Sequence, residues 1–282
     1  MASSKDFTPD PSMTLEQCLN APELLPDQIR KITKYAKELL GAAKFTKCIQ
    51  SAVRDEQSRL AMEEYRKKIS EPVVYQELTA EQLKSYFIRE FKAQHSVDFV
   101  EDEYSIPVLE RLCLYFANDE RFEMLDDDYS LSKGLVLHGV IGCGKSSWMR
   151  IFQTNQKCSF QFKSCSQVAR EFSKEGYKTL EKYFSPIPNV YRSQFFGQQE
   201  LGWCFDDLGF EQEAKHYGKA SNVMVELIQA IYDKPAMKGM VHFTTNLSAN
   251  QIGDNYGSRI RSRMRELFNV ISYASEAPDR RR

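Results

Sequence analysis

The stretch Gly139-Val140-Ile141-Gly142-Cys143-Gly144-Lys145-Ser146 matches the pattern GxxxxGK[ST], whose residue types suit the capture of a phosphate chain. Its glycines let the backbone curl until consecutive N–H groups point at one anion. Lys145 would reach the β- and γ-phosphates, and the Ser146 hydroxyl would ligate Mg²⁺. The apolar run from Gly134 to His138 predicts a strand feeding the loop, and a helix starting near Lys145 adds its positive end. A Gly-rich turn of this composition could also serve packing alone, but a strand before it and a helix after it are the context that favours phosphate. The expected nucleotide contacts are Gly139, Gly142, Cys143, Gly144, Lys145, Ser146 and Ser147.

A triphosphate-cleaving site also needs acids at a second strand end, to hold the metal and orient water. About sixty residues downstream, Trp203-Cys204-Phe205-Asp206-Asp207 has that form. Asp206 would hold Mg²⁺ and Asp207 would polarise the attacking water. Alternatively the two acids only close a buried strand. The run Met240 to Thr245 ends in Asn246, whose amide could bond the γ-phosphate or the lytic water, although Asn is also an ordinary strand terminator. Between Asn255 and Arg265 the chain is dense in arginine, and Arg259 and Arg263 share one helical face. Three readings stay open for them: a guanidinium offered to a neighbouring subunit's γ-phosphate, a solvated basic face, or a nucleic-acid backbone contact.

Alternating elements would position these groups. Strands are expected at Ser159–Lys163, Trp203–Phe205, Met240–Thr245 and Asn269–Tyr273, with helices through Val168 and Phe172, Val223 to Ile231, and Arg259 to Leu267. Such alternation implies an α/β fold with a largely parallel sheet, whose ligands sit at the carboxyl ends of the strands. Upstream the pattern is helical. Ile29, Ile32, Ala36, Leu39 and Leu40 form one stripe, with Gly41 as its stop, and Phe45, Cys48, Ile49, Ala52 and Val53 begin a second. Thr79-Ala80-Glu81-Gln82 is a capping box for a helix carrying Leu83, Tyr86, Phe87 and Phe91. After an acidic break at Asp98 to Tyr104, Val108 to Phe116 supply another apolar face.

The 282 residues are 42% hydrophobic and 27% charged, a composition of globular rather than disordered chains. The formal charge of −1 confines any nucleic-acid contact to a local patch. No apolar run is long enough for a membrane span, and the start of the chain lacks a signal-peptide core. The seven cysteines show no CxxC spacing, so free thiols in a reducing cytoplasm are expected over disulfides or zinc.

Taken in order, these motifs resemble the AAA+ ATPases of the replication-initiator branch, and most closely the DnaC/DnaI-like helicase loaders. Lys133 to Gly139 lead into a Walker A loop, Phe205-Asp206-Asp207-Leu208-Gly209 is similar to Walker B, and Thr244-Thr245-Asn246-Leu247-Ser248 to sensor 1. Tyr256 to Glu266 looks like the box VII helix, and the last strand with Asp279 to Arg282 also fits. The resemblance covers roughly residues 100–282. It implies a P-loop AAA+ core with a five-stranded, mostly parallel sheet and no C-terminal lid domain, because only about fifteen residues follow Leu267. Residues 1–95 would then be a helical region gripping a replicative ring helicase, and 96–282 the ATPase domain. The likeness further implies ATP with Mg²⁺, Lys145 on the phosphates, Ser146 and Asp206 on the metal, Asp207 on water, Asn246 as sensor and Arg259 as a finger in trans across a self-association interface. Arg263 becomes a candidate for single-stranded DNA or for that interface. A channel-lining helix is expected within Ser164 to Phe184, where Arg170, Lys174, Lys178 and Lys182 form a basic run; Glu171, Glu175 and Glu181 could equally neutralise it. Asp rather than Glu at 207 implies slow, switch-like turnover. A transposition ATPase of the IstB type and a nucleotide-gated adaptor with negligible hydrolysis are the competing readings. Arg280 to Arg282 could replace the lid's sensor arginine or form a frayed basic tail, with the tail favoured.

Overall fold

The computed structural model describes residues 26–41, 51, 54–55, 57–64, 66, 75–190, 195–211, 214–216 and 219–281. The chain divides into two compact units, Met1–Glu71 and Pro72–Arg282. In the first, helix α1 (Pro26–Leu40) stops where Gly41 takes φ 73° and its N–H bonds the Lys37 carbonyl at 3.1 Å. Residues 57–64 are helical and exposed, with an Arg59–Glu63 ion pair of 2.6 Å. The second stripe expected from Phe45 to Val53 lies outside the described residues.

The second unit begins upstream of the expected 95/96 boundary, for a reason visible in its core. Helix α2 (Ala80–His95) opens on the expected capping box, in which the Thr79 hydroxyl accepts from the Gln82 N–H and the Gln82 side chain accepts from the Thr79 N–H. Its stripe buries Leu83 and Phe87. Phe87 lies 5.2 Å, ring to ring, from both Trp148 and Phe152, so α2 is part of the body that carries the glycine-rich loop. Helix α3 (Ile106–Phe116) packs beside it and buries Val108, Leu109, Leu112, Cys113, Tyr115 and Phe116.

Five strands form the parallel sheet: β1 (Gly134–His138), β2 (Phe160–Ser164), β4 (Glu200–Leu208), β7 (Val241–Thr245) and β8 (Phe268–Ser272). Their spatial order is β2-β4-β7-β1-β8, and the two-residue β3 (Ile187–Pro188) adds antiparallel to β4. Two short strands, β5 (Ala214–His216) and β6 (Lys219–Ser221), make a separate hairpin that the sequence pattern did not announce. Side chains alternate across the sheet as a period of two requires: Leu135 and Leu137 join one core cluster and Val136 the other. One cluster takes α2, α3 and α4 (Lys145–Ile151). The other takes α5 (Cys165–Glu175), α7 (Val223–Tyr232) and α9 (Ser258–Leu267). Burial on both faces explains why the central strands are almost wholly apolar. His242 on β7 is a polar residue deep among them. Its Nδ1 accepts from the Leu135 N–H at 3.1 Å, and desolvation holds its pKa down to about 3, so it stays neutral in the core.

The placement of α2 has a testable consequence. A fragment of residues 72–282 is expected to unfold cooperatively near the full chain's temperature. A fragment of 96–282 loses Leu83 and Phe87 from a filled core, at about 2–5 kcal/mol for each large side chain, and should be unfolded or strongly destabilised in a thermal melt.

Candidate nucleotide site

The parallel sheet delivers the carboxyl ends of β1, β7 and β4 side by side. After His138 the chain turns through the glycine-rich loop, with Gly142 at φ 85° and Gly144 at φ 103°, left-handed values that side chains other than glycine rarely adopt. Lys145 opens α4 and is only 5% exposed. Its Nζ donates to the Gly139 and Val140 carbonyls, both at 2.9 Å, and to Asn246 Oδ1. Burial lowers its pKa, opposed by Cys143, Asp207 and Asp206. The ammonium therefore rests on neutral acceptors, and an anion in the loop offers it a stronger, charge-assisted bond. The Cys143 thiol is buried, desolvation raises its pKa, and its Sγ accepts from Lys145 Nζ at 3.9 Å.

Asp206 and Asp207 are adjacent, and a regular strand would send their side chains to opposite faces. The pairing of β4 with β7 slips between Phe205 and Leu208, and Asp207 adopts φ 58°. This bulge lets both acids serve the same strand end. The hydroxyl of Thr244 holds it, donating to Asp206 Oδ1 at 2.5 Å and accepting from the Asp207 N–H at 2.9 Å. One residue on, the Thr245 hydroxyl donates to the Leu208 carbonyl at 2.7 Å and accepts from the Leu247 N–H at 3.0 Å. Ser146 Oγ donates to the same Asp206 oxygen at 2.7 Å, so the two groups expected on Mg²⁺ are in direct contact. A hydroxyl and a carboxylate oxygen are hard donors of the kind Mg²⁺ takes, and the pair fits that ion. The Asp207 carboxyl has its pKa raised, first by desolvation and then by the Asp206 charge, with Lys145 and Arg281 opposing.

Part of this group borders a cleft of about 720 Å³, a size suited to a small-molecule ligand, while Asp206, Gly139 and Cys143 lie behind its lining. Gly142, Gly144, Lys145, Ser146 and Ser147 line one side, with Asp207 and Asn246 beside them. An apolar wall comes from Phe91, Val97, Phe99, Val100 and Trp148, a surface suited to a flat ring. The sequence showed only an acidic break beyond residue 97. The wall stayed hidden because it combines a helix end, a loop and α4, each ordinary alone. Thr244 was passed over as well, although a threonine two places before Asn246 was the available signal.

The remaining residues fall elsewhere. Arg259 is exposed on the first turn of α9 and does not line the chain's own cleft. Arg263 is 8% exposed, and its guanidinium lies 4.6 Å from the centre of the Tyr232 ring, which takes it from the expected nucleic-acid face into packing. The basic run is not one helix. Gly176, at φ 66° and ψ −147°, separates α5 from α6 (Tyr177–Glu181), so Lys174 and Lys178 are both exposed but on different axes. Lys182 pairs with Glu175 at 2.8 Å. The C-terminal segment is not frayed up to Arg281: Pro278 to Arg281 line the cleft. Arg282 lies outside the described residues.

The Thr244 bridge can be checked directly. Thr244→Val keeps the shape but strands the Asp207 N–H and removes a donor from Asp206. It is expected to cost about 1–3 kcal/mol in urea unfolding, with Thr244→Ser recovering most of the loss.

No family model matches this chain, and no curated protein matches it. Among solved structures it is similar to that of the DnaC helicase loader, at 16% identity and a TM-score of 0.42, covering 62% of this chain and 93% of that one. It is also similar to a "putative primosome component" from Streptococcus pyogenes serotype M3, at 13% identity and a TM-score of 0.40, covering 69% and 99%. The strand order β2-β4-β7-β1-β8, the glycine-rich loop after β1 and the helices on both faces make this a P-loop-like α/β fold, a parallel sheet covered on both sides.

Proposed function

We propose that this protein is an ATP-dependent loader that places a DnaB-type replicative ring helicase on single-stranded DNA, with ATP binding and slow hydrolysis as its switch. The observation that carries the nucleotide part is the convergence of Lys145, Ser146, Asp206 and Asn246 through direct hydrogen bonds at one sheet edge. The loader part rests on the ordered likeness of five sequence motifs to helicase loaders.

In this reading the loop N–H groups and Lys145 bind the triphosphate, while Ser146 and Asp206 hold Mg²⁺, which when bound neutralises charge between the phosphates. Asp207 orients the attacking water. Asn246 reports occupancy: it bonds Lys145 directly, so a ligand that draws the ammonium away releases the amide at the end of β7. The exposed position of Arg259, away from its own cleft, suits a guanidinium that completes the site of a second copy. Lys174 and Lys178 remain the candidates for single-stranded DNA, and the first ninety-five residues for the helicase. That region now divides between the N-terminal unit and α2, so the helicase grip is assigned chiefly to residues before Pro72.

Two variants test the reading. Lys145→Ala is expected to abolish ATP binding in a calorimetric titration, and equal affinity for wild type and variant would sink the nucleotide assignment. Arg259→Ala is expected to leave affinity within about twofold while turnover falls by about 10³-fold or more. Turnover that is independent of protein concentration and indifferent to Arg259 would remove the trans site. Pull-down with the full chain separates a ring helicase from an integrase-fold transposase as partner.

A further inference from the structure

The cleft has a wall that the motif set does not contain. Beyond β8 the Tyr273 N–H bonds the His138 carbonyl at 2.9 Å, and the chain then turns back across the glycine-rich loop. The Arg280 N–H donates to the Gly142 carbonyl at 3.0 Å. The Arg280 guanidinium donates to Asp102 Oδ2 at 2.5 Å, in a pair whose side chains are 21% and 27% exposed. Asp102 is itself held, its Oδ1 accepting from the Tyr104 and Ser105 N–H groups. Asp279 packs on Gly142, where a Cβ would come within 1.9 Å of its carboxylate oxygen, and the same oxygen accepts from the Arg281 N–H at 2.9 Å. The segment is thus fastened at the loop and at the far wall. Its next residue, Arg281, lines the cleft together with Lys145, Asp207 and Asn246.

We propose that Arg281 binds the terminal phosphate of the nucleotide held by its own chain, and that Arg280, clasped to Asp102, is the positioning residue that puts it there. A triphosphate brings more negative charge than Lys145 and one divalent ion neutralise, and a guanidinium on the opposite wall supplies the balance. The position along the ligand follows from the neighbours. The apolar wall and Ser147 mark the base end, whereas Asp207 and Asn246 mark the far end, and Arg281 comes from the segment fastened to the glycine-rich loop at Gly142. A cation there distinguishes ATP from ADP, which a cation over the loop alone would not. The Arg280–Asp102 pair also ties the C-terminal segment to a loop 178 residues away in sequence.

This proposal rests on the nucleotide reading above, and the experiment separates the two. Affinities of the full-length protein for Mg·ATP and Mg·ADP are measured by calorimetry in wild type, Arg281→Gln and Arg280→Gln. Arg281→Gln is expected to weaken ATP about tenfold and leave ADP within twofold, with Arg281→Lys recovering part of the loss. Arg280→Gln should shift ATP in the same direction and also open the C-terminal segment to carboxypeptidase. Equal effects on ATP and ADP, or none, from Arg281→Gln would overturn the assignment. A wild-type protein that binds neither nucleotide would instead overturn the nucleotide reading itself.

Discussion

A parallel sheet brings the carboxyl ends of its strands to one edge, and in this chain β7 lies between the strand that feeds the glycine-rich loop and the strand that carries the acids. Everything at the site depends on that neighbour relation. Register pairs His138 with Thr245 on one side and Leu208 with Thr245 on the other, so the residues just past β7 stand between loop and acids. Asn246 can then reach Lys145, and Thr244 can reach both Asp206 and the Asp207 backbone. Were β1 and β4 adjacent, Ser146 could still meet an acid, but no amide would sit between them.

The second constraint is local. Two neighbouring aspartates serve one strand end only if the strand stops alternating between them, and the positive φ of Asp207 accomplishes that. A left-handed aspartate is tolerated at a modest cost, and the Thr244 hydroxyl offsets part of it by accepting the freed N–H. At the same strand end desolvation, and after it the Asp206 charge, raise the Asp207 pKa.

Around this rigid centre the cleft is closed by pieces from both ends of the second unit. Helix α2 and the segment 97–100 supply apolar surface, and the C-terminal residues supply charge. Those walls meet through Arg280 and Asp102. The polar floor is built on strands and helix starts that buried apolar side chains hold in place, whereas the walls depend on a few polar contacts.

The glycine-rich loop, the paired acids, the asparagine after β7 and the α/β alternation were all legible in the sequence. Each rests on local chemistry: glycines where φ must be positive, apolar runs where a strand is buried on both faces, polar residues where it ends. The capping box at Thr79 was legible for the same reason. Contacts between distant residues outside those motifs were not. Arg263 looked like a surface cation at helical spacing, yet its side chain stacks on Tyr232, a contact that only the packing of α9 against α7 decides. Likewise Lys174 and Lys178 share a spacing but not a helix, because Gly176 turns the chain between them. Arg280 and Asp102 meet only once β8 has joined the sheet beside β1, so neither residue type nor spacing could announce a clasp across 178 positions. Sequence sets what each short segment can do, and burial in one shared core determines which segments do it together.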